Sequence, residues 1–187
     1  DEDGCPDPDN DSDGIDDKQD QCPGKDADKK DNFKKTKETI NGVKDDDGCP
    51  DKGKALAVIT KDNIVIMNKV YFNSNRSTLL KQSYPILNIV VKILKTHTRI
   101  ELLEVQGHTD DAGDDSKNMK LSLSRANSVK RYLISKGISA SRLKAVGYGE
   151  TKALQDCSGL KGTKRWLCRS KNRRVAFKIL NIKEKSK

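Results

Sequence analysis

The chain has little from which to build a membrane span, a nucleic-acid site or an active site. Of its 187 residues only 8 are aromatic, one of them Trp, and there are 2 His and 2 Met. No run of 18 apolar residues occurs, so no helix can be expected to cross a bilayer. The net charge is +9, but the scarcity of aromatics and the lack of any nucleic-acid motif argue against nucleic acid as the partner. No Cys-x-x-Cys occurs and the two His lie far apart, which leaves zinc without a ligand set. No nucleophile stands beside an activating base, and the adjacent Asp110 and Asp111 are poorly placed to flank a scissile bond. A binding protein is therefore expected, with a hydrolase as a distant alternative.

What is present divides in two. Residues 1–51 hold 18 acidic and 8 basic residues, a net of −10, whereas residues 52–187 hold 10 and 29, a net of +19. Two modules with different partners are expected, at 1–52 and 53–187. The chain opens inside an acidic repeat without a signal peptide, so it reads as a fragment of a longer secreted precursor.

Residues 9–20, DNDSDGIDDKQD, place acids at positions 1, 3, 5, 9 and 12 of a twelve-residue loop with Gly at position 6. Calcium takes six to eight oxygens, and glycine permits the sharp turn that lets alternate side chains converge. The expected ligands are Asp9, Asp11, Asp13, the Ile15 carbonyl, Asp17 and Asp20, with Asp26, Asp28 and Asp31 as weaker candidates for a second ion. Position 12 is Asp rather than Glu, and no flanking helices are legible, unlike an EF-hand. With DEDGCPD at 1–7 repeated as DDDGCPD at 45–51, the segment resembles thrombospondin type 3 repeats. Too apolar-poor for a core, it would be held by metal and disulfides in an oxidising compartment. Cys22 and Cys49 each follow an acidic unit and are expected to bridge. Cys5 would then be left without a partner within this chain.

The most informative stretch is 107–131, GHTDDAGDDSKNMKLSLSRANSVKR. Asn118, Ser122 and Arg125 fall at spacings of four and three, on one helix face. Met119, Leu123, Ala126, Val129 and Leu133 form a neighbouring stripe that reads as the core side. A fixed carboxylate, Asp110, and a fixed guanidinium, Arg125, on adjacent elements suit a zwitterionic ligand.

Four segments in order, Gly107-His-Thr-Asp110, then Asn118, Leu121, Ser122, Arg125, Ala126 and Val129, then Gly147-Tyr-Gly-Glu150, then Asn172-Arg-Arg-Val175, resemble the C-terminal domain of outer membrane protein A and its relatives. The match runs from about residue 63 to about residue 180, and Val70–Ser77 fits the upstream strand and loop. The resemblance implies non-covalent binding of peptidoglycan through the diaminopimelate of the stem peptide, anchoring the outer membrane to the cell wall from the periplasmic side. Attachment to that membrane would come from a region before residue 1. It further implies that Asp110 accepts from the ligand ammonium and Arg125 grips its carboxylate. Asn75, Asn118 and backbone N–H groups around Ala112 would complete the pocket. Asn75 stands where some relatives have Asp. Arg173 is expected to approach the same pocket while Arg174 points to the other strand face. His108 is expected to shape the backbone, His97 to be on the surface and Trp166 to pack. Cys157 and Cys168 flank a short loop before the last strand, a pair seen in some relatives, and a disulfide is expected there. The alternative is a calcium-dependent adhesion protein whose function lies in the acidic repeats.

Short strands are expected at Ala55–Thr60 and Ile64–Phe72. The Leu87, Val90, Val91, Leu94 stripe gives a helix with Pro85 in its first turn. Further elements are a strand at Ile100–Gln106, a helix over 118–136 closed by Gly137, and strands at Leu143–Val146 and Arg174–Leu180. The fold class is α+β, a mixed sheet covered by helices, preceded by an irregular segment stabilised by calcium and disulfides.

Overall fold

The computed structural model describes residues 54–182, together with 18, 39–41 and 49. The calcium-ligand candidates Asp9 to Asp20 and the proposed partner of Cys49, Cys22, lie outside the described residues, as does Cys5. Cys49 itself is disulfide-bonded.

Five strands form one sheet in the order β1-β2-β5-β3-β4. They are β1 (Ala57–Ile59), β2 (Asn63–Ile66), β3 (Ile100–His108), β4 (Leu143–Gly147) and β5 (Arg174–Ile182), interspersed with α1 (Tyr84–Thr96), α2 (Asp115–Ser135) and α3 (Gly162–Asn172). β3 and β4 are parallel, and the other pairs are antiparallel. The mixed α+β class expected from the sequence is the one observed.

The sheet alternates as its pleat demands. Ala57, Ile64, Leu103, Val105, Phe177 and Ile179 are buried on the inner side, against Leu87, Val90 and Leu94 of α1 and Ala126, Val129 and Leu133 of α2. Ile40, which precedes the 52/53 boundary in the chain, is also buried in this core, and its carbonyl accepts from Leu56 N–H at 2.7 Å.

Helix α1 carries Pro at its first turn as expected. Helix α2 starts three residues earlier than its polar motif suggested, because Asp114 caps it: the side chain accepts from Lys117 N–H at 2.8 Å. It ends as read, with Gly137 at φ +93° just beyond the cap.

Four expectations fail. The strand from Ile64 stops at Ile66, and beyond it only Phe72 bridges, to Leu79. There the backbone finds other partners: Tyr71 N–H donates to the buried Ser83 hydroxyl at 2.7 Å, and that hydroxyl donates to Tyr71 O at 3.0 Å. His97 is buried, its Nδ1 donating to Ile93 O at 3.1 Å. The segment between the paired cysteines is largely a helix, α3, rather than a loop. The fourth failure concerns α2. Its first half buries Asn118 and Ser122, while Met119 and Leu123 are about 40% exposed.

The last failure has a backbone cause. Gly107 and Gly147 are register partners in the parallel pair β3–β4. A Cβ on Gly107 would meet Ser122 O at 2.1 Å, and one on Gly147 would meet Leu123 N at 2.3 Å. The helix thus rests directly on main chain, and only a small residue, Ser122, fits at the contact. The larger apolar neighbours are turned outward.

Candidate functional site

Contact with the glycine pair fixes Ser122, and with it Asn118 one turn before and Arg125 one turn after. Two loops leave the C-terminal ends of β3 and β4 at this point. They are stitched together by Thr109 N–H to Gly149 O at 2.8 Å and Tyr148 N–H to Gly107 O at 2.9 Å. The Ser122 hydroxyl donates to Met119 O at 2.8 Å and accepts from Gly149 N–H at 2.9 Å. Asn118, 8% exposed, spends its amide nitrogen on Asp110 O (3.3 Å), Ala112 O (3.1 Å) and Glu150 Oε2 (3.1 Å). Asn118 therefore clamps the GHTD loop from behind.

Asp110 is held on both oxygens. Oδ1 accepts from Ala112 N–H at 3.3 Å, and Oδ2 pairs with Arg173 Nη1. Arg173 is the residue that caps α3 before β5 begins, so the expected approach of Arg173 to this site is observed. Arg125 comes from the other side. Its Nε donates to Arg76 O at 3.1 Å and its guanidinium lies 5.1 Å from the centroid of Phe72. Burial lowers the Arg125 pKa, Arg173 lowers it further, and Asp110 pulls the other way. Both terminal nitrogens of Arg125 remain without a hydrogen-bond partner among the described residues. Asn75 sits in the left-handed region at φ +53° in the exposed turn beside Arg76.

Arg125 and Arg173 line one cleft of about 390 Å³ together with Lys69, His108, Trp166 and Arg174. Two of these contradict expectation. Trp166 is 61% exposed and walls the cleft instead of packing inside. Arg174 joins Arg173 at the cleft instead of facing away. Arg173 has helix-cap dihedrals, φ −70° and ψ 93°, so period-two alternation begins only with Arg174. Recognising α3 as a helix would have found this wall: Trp166, Ser170 and Arg173 stand at spacings of four and three. Lys69 has no motif to reveal it.

Helix α3 is tied in place by few apolar contacts. The expected Cys157–Cys168 disulfide is present, with Cα atoms 5.8 Å apart. Asn172 accepts from Leu154 N–H at 2.9 Å and Gln155 N–H at 3.0 Å and donates to Gln155 O at 2.8 Å. Asp111 bonds Arg169 Nε at 2.6 Å and lies 3.6 Å from Arg165.

His108 is 2% exposed, stacks on Tyr148 with centroids 5.4 Å apart, and has no hydrogen-bond partner for either ring nitrogen among the described residues. Burial, with Arg174 and Lys152 nearby, lowers its pKa from 6.5 to about 4. Between those pH values the unfolded chain holds more protons than the folded one. The stability that neutral His108 contributes is therefore fully present above 6.5 and is lost as pH falls towards 4, with a slope of at most about 1.4 kcal/mol per pH unit. Urea unfolding of the parent and His108→Gln at pH 7, 6 and 5 tests this. The substitution should flatten the slope, and an unchanged slope refutes the assignment.

The profile of the OmpA family matches residues 71–165, half of the chain. Outer membrane porin F of Pseudomonas aeruginosa is 32% identical over 172 residues, 91% of this chain and 41% of the porin. A 116-residue stretch is 37% identical to part of the photosystem I P700 chlorophyll a apoprotein A2 of Gloeobacter violaceus, covering 62% of this chain and 13% of that protein. The chain thus spans less than half the length of either relative. Among solved structures, the cell wall anchor of the T6SS from Pseudomonas aeruginosa superposes with a TM-score of 0.54 at 22% identity, over 67% of this chain and 86% of that one. That likeness establishes a shared fold. With the profile match, the ordered motifs and the fold in agreement, the chain belongs to the OmpA family.

Proposed function

We propose that the chain binds peptidoglycan without cleaving it, through the diaminopimelate of the stem peptide, and thereby anchors the outer membrane to the cell wall from the periplasmic side. The observation that carries this reading is that Arg125 lines one cleft with Arg173, the ion-pair partner of Asp110, and that Asp110 is near enough to act electrostatically on Arg125. The far end of diaminopimelate bears an amine and a carboxylate on one carbon. A carboxylate oxygen has lone pairs to spare for an ammonium beside the Arg173 contact. The unspent end of Arg125 offers two parallel donors to the carboxylate. Asn118 and Ala112 hold the loop that presents Asp110, and Asn75 lies next to the carbonyl that positions Arg125. The relatives support the setting: one is named as a cell wall anchor and another as an outer membrane porin. The fully buried Ser122 hydroxyl, committed to α2 and the Gly149 loop, supports binding over hydrolysis.

The acidic segment is proposed to hold calcium through Asp9, Asp11, Asp13, Ile15, Asp17 and Asp20, on its sequence register alone. One experiment addresses both proposals: co-sedimentation with purified sacculi, with and without a calcium chelator, in the presence of free diaminopimelate or lysine. Diaminopimelate should displace the protein and lysine should do so far less, since lysine lacks the second amino-acid centre. Chelation should expose residues 1–51 to protease while leaving sedimentation unchanged. Loss of sedimentation on chelation would favour calcium-dependent adhesion, and unchanged protection of residues 1–51 would remove the calcium proposal.

A further inference from the structure

The cleft carries more positive charge than a single zwitterion can use. Lys69, Arg125, Arg173 and Arg174 all line it. Among the described residues only Arg173 has a carboxylate partner, Asp110. Lys69 Nζ donates to a carbonyl, Ser170 O. Arg174 donates likewise to Lys152 O at 3.0 Å and Asn172 O at 3.3 Å. Backbone carbonyls satisfy donors but do not neutralise charge. One zwitterionic centre would engage Asp110 with its ammonium and Arg125 with its carboxylate, leaving Lys69 and Arg174 without a carboxylate partner among the described residues.

We infer that the cleft, through the Lys69 and Arg174 cations that line it beside Trp166 and Ser170, holds a second anion subsite that takes another carboxylate of the same stem peptide. The inference rests on the diaminopimelate reading and extends it: the preferred ligand is a muropeptide with at least two free carboxylates.

Three further observations agree. His108 lines the same cleft, is almost wholly buried, and has both ring nitrogens unpartnered among the described residues. Buried polar atoms of this kind ordinarily find a partner, and a bound group can supply one. The cations also oppose one another: Arg173 adds to burial in lowering the pKa of Lys69, and Arg173 likewise adds to burial in lowering that of Arg125. A bound anion relieves each of these repulsions. Finally, Trp166 is mostly exposed at the rim. A large apolar face there can shield a carboxylate–cation contact from water and strengthen it.

Two carboxylates of a stem peptide can fill the subsite, the C-terminal one and that of the glutamate at position two. The test is calorimetric titration of the whole chain with a disaccharide-tetrapeptide muropeptide containing diaminopimelate. It is repeated with the C-terminal carboxylate amidated, and again with the glutamate carboxylate amidated. One of the two amides should bind at least about tenfold more weakly, as expected for loss of a charge-assisted contact. Lys69 is exposed, so Lys69→Met should fold normally. It should bind the acid form as weakly as the parent binds that amide and should no longer distinguish them. Equal affinity of the parent for all three ligands overturns the second subsite and leaves the diaminopimelate reading standing. A difference that persists in Lys69→Met overturns the assignment to Lys69. No binding of any of the three overturns both readings.

Discussion

Alanine at Asp110 or at Arg125 will lower affinity for purified sacculi by at least an order of magnitude, with the fold retained. In each variant one charge of the ligand zwitterion enters the cleft without its counterpart, and truncating one member of a desolvated charge pair typically costs about 2–5 kcal/mol. The expected routes differ. Asp110→Ala removes the acceptor for the ammonium and also strips Arg173 of its partner, which leaves a more positive cleft facing a cationic group. Arg125→Ala removes the donors for the carboxylate while leaving Asp110–Arg173 intact. Arg125→Lys should fail nearly as badly, because an ammonium cannot reproduce two parallel donors or lie flat over Phe72. Asp110 also accepts from Ala112 N–H, so Asp110→Asn is the cleaner probe of charge: it can keep that acceptor and still lose the ammonium. Sedimentation with sacculi, alongside thermal melts of each variant, provides the check. If Asp110→Ala and Arg125→Ala both sediment like the parent, the site lies elsewhere, and the basic surface becomes the better account.

The largest effect on stability is expected far from any charge. Gly107→Ala and Gly147→Ala each place a methyl at 2.1–2.3 Å from main-chain atoms of α2. Those atoms belong to a helix interior and cannot swing aside as a side chain would. Either the helix lifts from the sheet, opening the Ala126–Val129–Leu133 packing behind it, or the strands separate. Overpacking usually costs 1–3 kcal/mol, and contact with rigid backbone belongs at or beyond the upper end, about 3 kcal/mol or more. Gly113→Ala is the control. Among the described residues nothing lies within 4 Å of its Cβ position, but its φ of +99° remains a strain for alanine, so a loss of about 1–2 kcal/mol is expected. Urea midpoints of the three variants decide the matter, and a Gly107→Ala protein within 1 kcal/mol of the parent would show that α2 is not seated as described.

Much of the fold could be read from the order of apolar stripes and punctuation. Pro85 and Gly137 fall where helix chemistry places them, and α1, β3, β4 and β5 lie close to their expected bounds. What could not be read shares one trait: the elements concerned are held by something other than apolar side chains. The first half of α2 is seated on glycine backbone, so its buried residues are Asn118 and Ser122, and hydrophobicity assigned the wrong stripe. Helix α3 buries only Cys168 and Asn172, leaving no periodic pattern to mark it as a helix. Without that pattern, neither Trp166 nor Arg174 can be placed at the cleft from sequence. Asp110 and Arg125 stand close enough in sequence, on one loop and the helix after it, for a motif to suggest that they are neighbours. The Asp110–Arg173 ion pair spans 63 residues, and no local pattern encodes such a distance.

The glycine seat also bears on how such a domain can diverge. Where a helix is located by interlocking side chains, each change of core volume moves it, and any ligand group it carries moves too. Here α2 meets a hard stop of main chain against main chain. Drift in the apolar residues farther along the helix can be absorbed by repacking near Val129 and Leu133, while the end that bears Asn118 and Arg125 keeps its register. Binding geometry and core composition are thereby uncoupled, and the register of the helix depends most on two positions that have no side chain at all.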